Sequence, residues 1–374
     1  MIYVDNAATT PISPEVFEAM RPWLTSSFGN PSSIHAEGRK ARTAIEQARK
    51  TVANYLEASI GEVFFTSCGT ESINTTIKRS VQDLGIQRII TSPIEHHCTL
   101  HSVEAVKRDF GTRIEYLPVS KSGRPDLQVL HTLLDDRSVP TLVTLMHANN
   151  EIGTLSPIEK ISALCQEAGA YFHTDTVQTI AKYPISVKQI PVHFLAGSAH
   201  KFHGPKGIGF MYINGDVKIN PLIDGGSQER TMRSGTENVA YIVGLAKALE
   251  LYNQERYAWQ NHIEHLRQYL AEQLLATFPG AYLNGEGLNN SLYTVLSVAF
   301  PPHPKNELLL LQLDIAGICA SGGSACTSGA EAASHVLEGI EGDPDYKTIR
   351  FSFSHYNTMD EMDEVVRKVK GILG

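Results

Sequence analysis

The chain predicts an α/β protein, a mostly parallel sheet flanked by helices, followed by a smaller α+β part. Two patterns carry the prediction. Up to about residue 213, short apolar runs of strand length alternate with longer segments whose apolar residues recur at helical spacing, as parallel strands joined by helical crossovers require. Beyond residue 235 the order changes to one long helical stretch, then strands mixed with helices.

The first helix of the alternating part covers residues 37–58, where Ala41, Ala44, Ile45, Ala48, Val52 and Leu56 share one stripe. Strand-like runs follow at 62–65, 87–92, 141–146, 170–172 and 193–197, each ending in a polar or glycine-rich segment. Residues 239–276 read as a helix linking two domains, and 291–300 as a strand. The last helix starts at a capping box, Thr358 with Glu361, and presents Met362, Val365, Val369 and Ile372 on one face. No internal repeat or charge block interrupts this order.

Composition bounds the setting. A chain of 374 residues with 42% hydrophobic content fills a large domain and a smaller one. No run reaches membrane-spanning length, and Met1-Ile2-Tyr3-Val4-Asp5 carries no basic-then-apolar leader, so a soluble cytoplasmic protein is expected. Five scattered cysteines make no disulfide framework and suit a reducing compartment. A formal charge of −8 without a basic stripe argues against nucleic acid as a direct ligand.

The strand ends carry the chemistry. After the run 193–197 comes S-A-H-K-F-H-G-P-K-G, which delivers Ser198, His200 and Lys201 to a carboxyl end, where α/β proteins bind ligands. A lysine amine there can form a Schiff base with a carbonyl compound such as pyridoxal phosphate. An exposed lysine in a turn is the plain alternative. Thr66-Ser67-Cys68-Gly69-Thr70-Glu71-Ser72 offers hydroxyls and free N–H groups at a helix start, an anion site or an ordinary cap. Asp175 and Gln178 follow the run 170–172, and a pyridine nitrogen needs such an acid to stay protonated, although a capping aspartate reads equally well. His96 could stack on a flat ring and move a proton. The run His96-His97-Cys98 has no partner cluster at zinc-site spacing, so no metal is expected. Asn149 and Asn150 close the run 141–146.

Together these residues resemble the cysteine desulfurases of the NifS/IscS type, within the class V aminotransferase-like pyridoxal-phosphate enzymes. The resemblance runs end to end, from Tyr3-Val4-Asp5-Asn6-Ala7-Ala8-Thr9-Thr10 through Phe28-Gly29-Asn30-Pro31-Ser32-Ser33 to Ile349-Arg350-Phe351-Ser352. It implies fold type I, aspartate aminotransferase-like, with a seven-stranded-type sheet. It also implies a large cofactor-binding domain at 15–255 and a small domain of 1–14 and 256–374. Pyridoxal 5'-phosphate is the implied cofactor, L-cysteine the substrate and a homodimer the assembly. Lys201 matches the Schiff-base lysine and Cα proton shuttle, and His96 the residue stacked on the ring. Asp175 matches the partner of the pyridine nitrogen, Gln178 the donor to the ring hydroxyl, and Thr70, Ser198 and His200 the phosphate contacts. Asn150 and Arg350 match the holders of the substrate, Arg350 as a two-pronged carboxylate clamp. Thr236 would reach the phosphate of the neighbouring subunit.

The segment 320–330, small residues around Cys326, has too little apolar area to pack, so a mobile thiol is expected, with an incidental cysteine in a linker as the alternative. By resemblance Cys326 is the persulfide carrier of the longer-loop subgroup. The implied activity is conversion of L-cysteine to L-alanine, with the sulfur kept on Cys326 for an acceptor in iron–sulfur cluster assembly or thio-modification. A transaminase or selenocysteine lyase is the enzymatic rival, and a non-catalytic phosphate-binding module the other. Three positions depart from the family pattern. Cys68-Gly69 stands for Gly-Ala, which brings a second thiol toward the cofactor, read as a buried, inert cysteine in preference to a functional one. Ser354-His355-Tyr356 stands where a Gly-Arg pair is common. The chain stops at Gly371-Ile372-Leu373-Gly374, short of the tail with which longer relatives dock an iron–sulfur scaffold, which leaves that docking open.

Overall fold

The computed structural model describes residues 1–322 and 334–374. Its centre is a seven-stranded sheet in the spatial order Val63–Thr66, Gly209–Ile213, Phe194–Ser198, Tyr171–Asp175, Thr141–Thr144, Arg88–Thr91, Arg113–Tyr116. Only Gly209–Ile213 runs antiparallel to its neighbours, so the other carboxyl ends share one edge. The predicted strands at 87–92 and 141–146 shorten to four residues each, because the segments beyond bend away to build loops at that edge.

Helix Ala36–Leu56 buries the predicted stripe through Ala41, Ile45, Ala48, Val52 and Leu56. It stops two residues early because Glu57 turns left-handed, with φ 55°, and its N–H closes on the carbonyls of Ala53 and Asn54. Helix Val239–Thr277 starts where the Asn238 side chain accepts from the Tyr241 N–H, 3.2 Å away. Its first half packs Ile242, Leu245, Leu249 and Tyr252 into the core around the sheet. Its second half packs Ile263, Leu266, Leu270 and Leu274 into a second core, which also holds Ile2, Val4, Phe351, Met362, Val365 and Val369. The chain's first residues therefore lie with its last ones.

That second core rests on Val295–Phe300, flanked antiparallel by Tyr282–Leu283 and Lys347–Ser352. The strand expected at 291–300 begins late, since Leu292 donates to the Gly153 carbonyl at 2.7 Å and the backbone turns there before pairing. Ile2–Tyr3 pairs parallel with Ile318–Cys319, and Asp5 bridges to Ser352. The capping box of Thr358 and Glu361 opens helix Met359–Leu373 as the sequence predicts, but Leu373 takes the buried place in the last turn and Ile372 only part of one.

Candidate active site

At the shared carboxyl edge, strand Phe194–Ser198 passes into a single tight turn, Ala199–Lys201. Gly197 lets this strand approach its neighbour, since a Cβ there would come within 2.4 Å of the Phe210 ring. Lys201 Nζ donates to the backbone carbonyls of Ala7 at 2.6 Å and Ala8 at 2.8 Å. The N-terminal segment is thus the cradle of the lysine. It is fastened from the other side by Thr10, whose N–H and hydroxyl both donate to the His200 carbonyl, at 2.9 and 3.0 Å.

Asp175 ends its strand, 7% exposed, and one carboxylate oxygen accepts from the Val177 N–H at 2.8 Å. It caps the following turn and faces the cavity at once, so the two readings of this residue are compatible. Burial pushes its carboxyl up to about 6, against the pull of the Val177 N–H and the Lys201 charge. Gln178 donates through Nε2 to the Ala7 carbonyl at 3.0 Å, and its Oε1 is buried without a partner.

His96 caps helix His97–Phe110, and its Nδ1 accepts from the Cys98 N–H at 3.1 Å, with Cys98 Sγ 2.9 Å away. An Nδ1 that accepts leaves the proton of a neutral imidazole on Nε2. Burial first, then the Lys201 charge, holds the His96 ring down to about 4, and burial pushes the Cys98 thiol up. Opposite them Arg350, 1% exposed, projects from strand Lys347–Ser352. It donates to the Asn150 carbonyl at 2.9 Å and to Asp5 at 2.8 Å, while its Nε is buried without a partner.

Of the residues expected from the sequence, Lys201, His96, Asp175, Gln178, Asn150, Thr70, Ser198, His200 and Arg350 line one cavity of about 260 Å³. Thr70 stands in the first turn of helix Gly69–Leu84, whose Gly69 leaves only enough room for Val177 on the far side. Asn149 turns away from the cavity, with its amide tied to the Ile94 carbonyl and to the N–H groups of Glu151 and Ile152. Thr236 lines a different cavity of about 200 Å³ with Ser67, Gly207 and Arg233, and Arg233 pairs with Glu71 at 2.9 Å. Cys326 lies outside the described residues. Both flanks of its segment are fixed near the cavity, Ser321 by backbone hydrogen bonds with Arg350 and His335 by Nε2 donating to the Glu95 carbonyl at 2.9 Å. Sequence reading missed the direct part of Ala7 and Ala8, because a set of backbone carbonyls leaves no side-chain signal. Among the described residues no group of His, Cys, Asp and Glu is arranged to hold a metal ion.

A lysine at a sheet edge facing a buried acid, with partnerless polar atoms on Gln178 and Arg350, suits a flat, charged cofactor bound through its aldehyde. Sheet and site define a fold type I pyridoxal-phosphate protein. The aminotransferase class-V family model matches residues 2–365. Cysteine desulfurase IscS of Dictyoglomus turgidum is 42% identical over 382 residues, covering 99% of this chain and 96% of the relative. Cysteine desulfurase NifS of Azotobacter vinelandii is 40% identical, covering 100% of this chain and 92% of its own. Among solved structures, a NifS-like protein superposes with a TM-score of 0.91 at 38% identity, over 100% of this chain and 99% of the other. SspA in complex with cysteine superposes with a TM-score of 0.82 at 32% identity, over 96% of this chain and 100% of that one. The chain belongs to the aminotransferase class-V family and, within it, to the NifS/IscS-type cysteine desulfurases, which depend on pyridoxal phosphate.

Proposed function

We propose that the protein converts L-cysteine to L-alanine and keeps the sulfur as a persulfide on Cys326 for a protein acceptor. The observation that carries this reading is the convergence of Lys201, Asp175, His96 and Arg350 on one cavity. SspA, solved in complex with cysteine, has the same fold.

The bound cofactor supplies an electron sink next to the substrate Cα. Lys201 would hold the cofactor, then take and return the proton at Cα through its amine. Asp175 would pair with the pyridine nitrogen, Gln178 with the ring hydroxyl, and Thr70, Ser198 and His200 with the phosphate. Thr236 would serve the phosphate of a partner subunit in a homodimer. Arg350 would exchange its contact with Asp5 for the substrate carboxylate, with Asn150 beside it, the guanidinium fork fixing which face of Cα meets Lys201. His96, neutral with its proton on Nε2, would donate to and accept from the groups that change protonation as the C–S bond breaks.

In the sulfur step the Cys326 thiolate would attack the substrate sulfur, forming the S–S bond as the C–S bond breaks and the carbon fragment keeps the electron pair and takes up protons to become alanine. The fixed positions of Ser321 and His335 near the cavity support this assignment, since both ends of that segment start beside the substrate site. The division of the chain into 15–255 and the remainder is part of the same proposal, supported by the two cores that share helix Val239–Thr277. Among the described residues no helix is long and apolar enough to cross a membrane. The test is product analysis with one equivalent of cysteine per active site and no added reductant. One alanine per active site, with the sulfur recovered on the Cys326 peptide after alkylation, is expected, whereas pyruvate or free sulfide with an unmodified Cys326 would refute it.

A further inference from the structure

Behind the Lys201 turn, four rings from three parts of the chain are packed together. His203, two residues after Lys201 and 3% exposed, adopts φ +66°, a left-handed backbone that a residue with a Cβ takes only when its surroundings enforce it. This reversal closes the turn, with the Gly204 N–H donating to the Ala199 carbonyl at 3.0 Å. The His203 N–H donates to Thr10 Oγ1 at 2.8 Å, its Nδ1 donates to the Pro11 carbonyl at 3.0 Å, and its own carbonyl accepts from the Ser13 N–H at 3.1 Å. The ring meets His355 edge-on at 4.7 Å between centroids. His355 in turn lies flat on Trp259, 3.7 Å away and 4° from parallel, and Tyr356 packs against both histidines. His355 Nδ1 is buried without a partner, and its ring face lies on Trp259.

Trp259 belongs to the long helix shared by both cores, and His355 follows closely on the strand that carries Arg350. The stack therefore ties the turn of the lysine to the strand of the arginine from behind the cavity. We propose that His355 and Trp259 are positioning residues that hold His203 left-handed and thereby fix Lys201 against the Ala7 and Ala8 carbonyls and at a set distance from Arg350. The inference rests on the proposed roles of Lys201 and Arg350.

The test uses the full chain with His355→Ala, His355→Phe and Trp259→Leu. In cofactor-free protein, competitive amine labelling followed by mass spectrometry should show Lys201 reacting at least about fivefold faster in His355→Ala and Trp259→Leu, with other lysines unchanged, because its two carbonyl contacts loosen. Emission from Trp259, one of two tryptophans in the chain, should change with His355→Ala. With cofactor and cysteine, kcat should fall between about tenfold and a hundredfold and KM should rise, as displaced reacting groups predict. His355→Phe, which keeps a flat ring, should restore most of both. Unchanged Lys201 labelling and kcat in folded His355→Ala, with only a lowered Tm, would reduce the stack to a stability element and overturn the proposal. If the parent itself made no alanine, the desulfurase reading would fall while the Lys201 labelling contrast would still decide the positioning role.

Discussion

Replacing Asp175 with asparagine removes one carboxylate from the cavity and leaves its shape intact. In the folded protein this carboxyl is pushed from 3.8 to about 6 by burial. That rise corresponds to about 3 kcal/mol against its ionised form. If, as proposed, a protonated pyridine nitrogen pairs with Asp175, it would relieve that cost and couple cofactor binding to ionisation. The sign follows from the direction of the shift. Below about pH 6 the empty site holds a neutral carboxyl, which must lose its proton before it can pair with the ring, so affinity for pyridoxal phosphate should fall by about tenfold per pH unit as pH drops further. Above about pH 6 Asp175 imposes no such slope. An asparagine at this position is neutral throughout, so Asp175→Asn should lose the Asp175 part of this slope and keep only the part set by the cofactor's own phosphate, whose second proton also leaves near about pH 6. Its turnover should drop at least tenfold, because a charge-assisted hydrogen bond exceeds a neutral one by about 1.5 kcal/mol and only the carboxylate keeps the nitrogen protonated. Spectrophotometric titration of cofactor-free protein from about pH 5 to 8, beside alanine assays at saturating cofactor, measures both. A parent whose affinity has no inflection near pH 6, or a variant as fast as the parent, would refute the reasoning.

Three further outcomes follow from the same geometry. Borohydride treatment of the yellow holoprotein should fix pyridoxyl to the Lys201 peptide, and a label on another lysine would remove Lys201 from its role. Cys326→Ser should bind cofactor and cysteine yet lose alanine release, because a hydroxyl is no sulfur acceptor, whereas Lys201→Ala should keep its Cys326 thiol and fail at Cα proton removal. Sulfur trapped on Cys68 or Cys98, with alanine output intact in Cys326→Ser, would contradict that division. Glu229→Ala should destabilise the fold by about 1–3 kcal/mol, because the fully buried Arg49 guanidinium loses its partner at 2.6 Å and keeps only Glu46 and the Val63 carbonyl, and because a segment with left-handed Glu229, Arg230 and Thr231 is freed. A Tm within a degree of the parent would show that the pair is dispensable.

Much of this protein is set by local pattern. The burial stripe of helix Ala36–Leu56, the cap of Asn238, the box of Thr358 and Glu361, and the placement of Lys201, Asp175 and His96 at strand ends follow from repeats of two or 3.6 residues and from capping chemistry, which act over a few residues. Such patterns locate each group along the chain without saying what it meets. The contacts of Lys201 with Ala7 and Ala8, of Arg350 with Asp5, and of His203 with His355 and Trp259 join positions far apart in sequence, and several of them are backbone carbonyls that have no residue signature. Asn149 and Asn150 look alike as neighbours, yet one is tied into its own loop and the other faces the cavity, because the turn at 149–152 points successive side chains in opposite directions. Sequence therefore determined which elements form and which chemistry each strand end offers. The tertiary structure decided which of those groups share a cavity and how they ionise, because burial and partner distance exist only once the sheet edge, the N-terminal segment and the second core have come together.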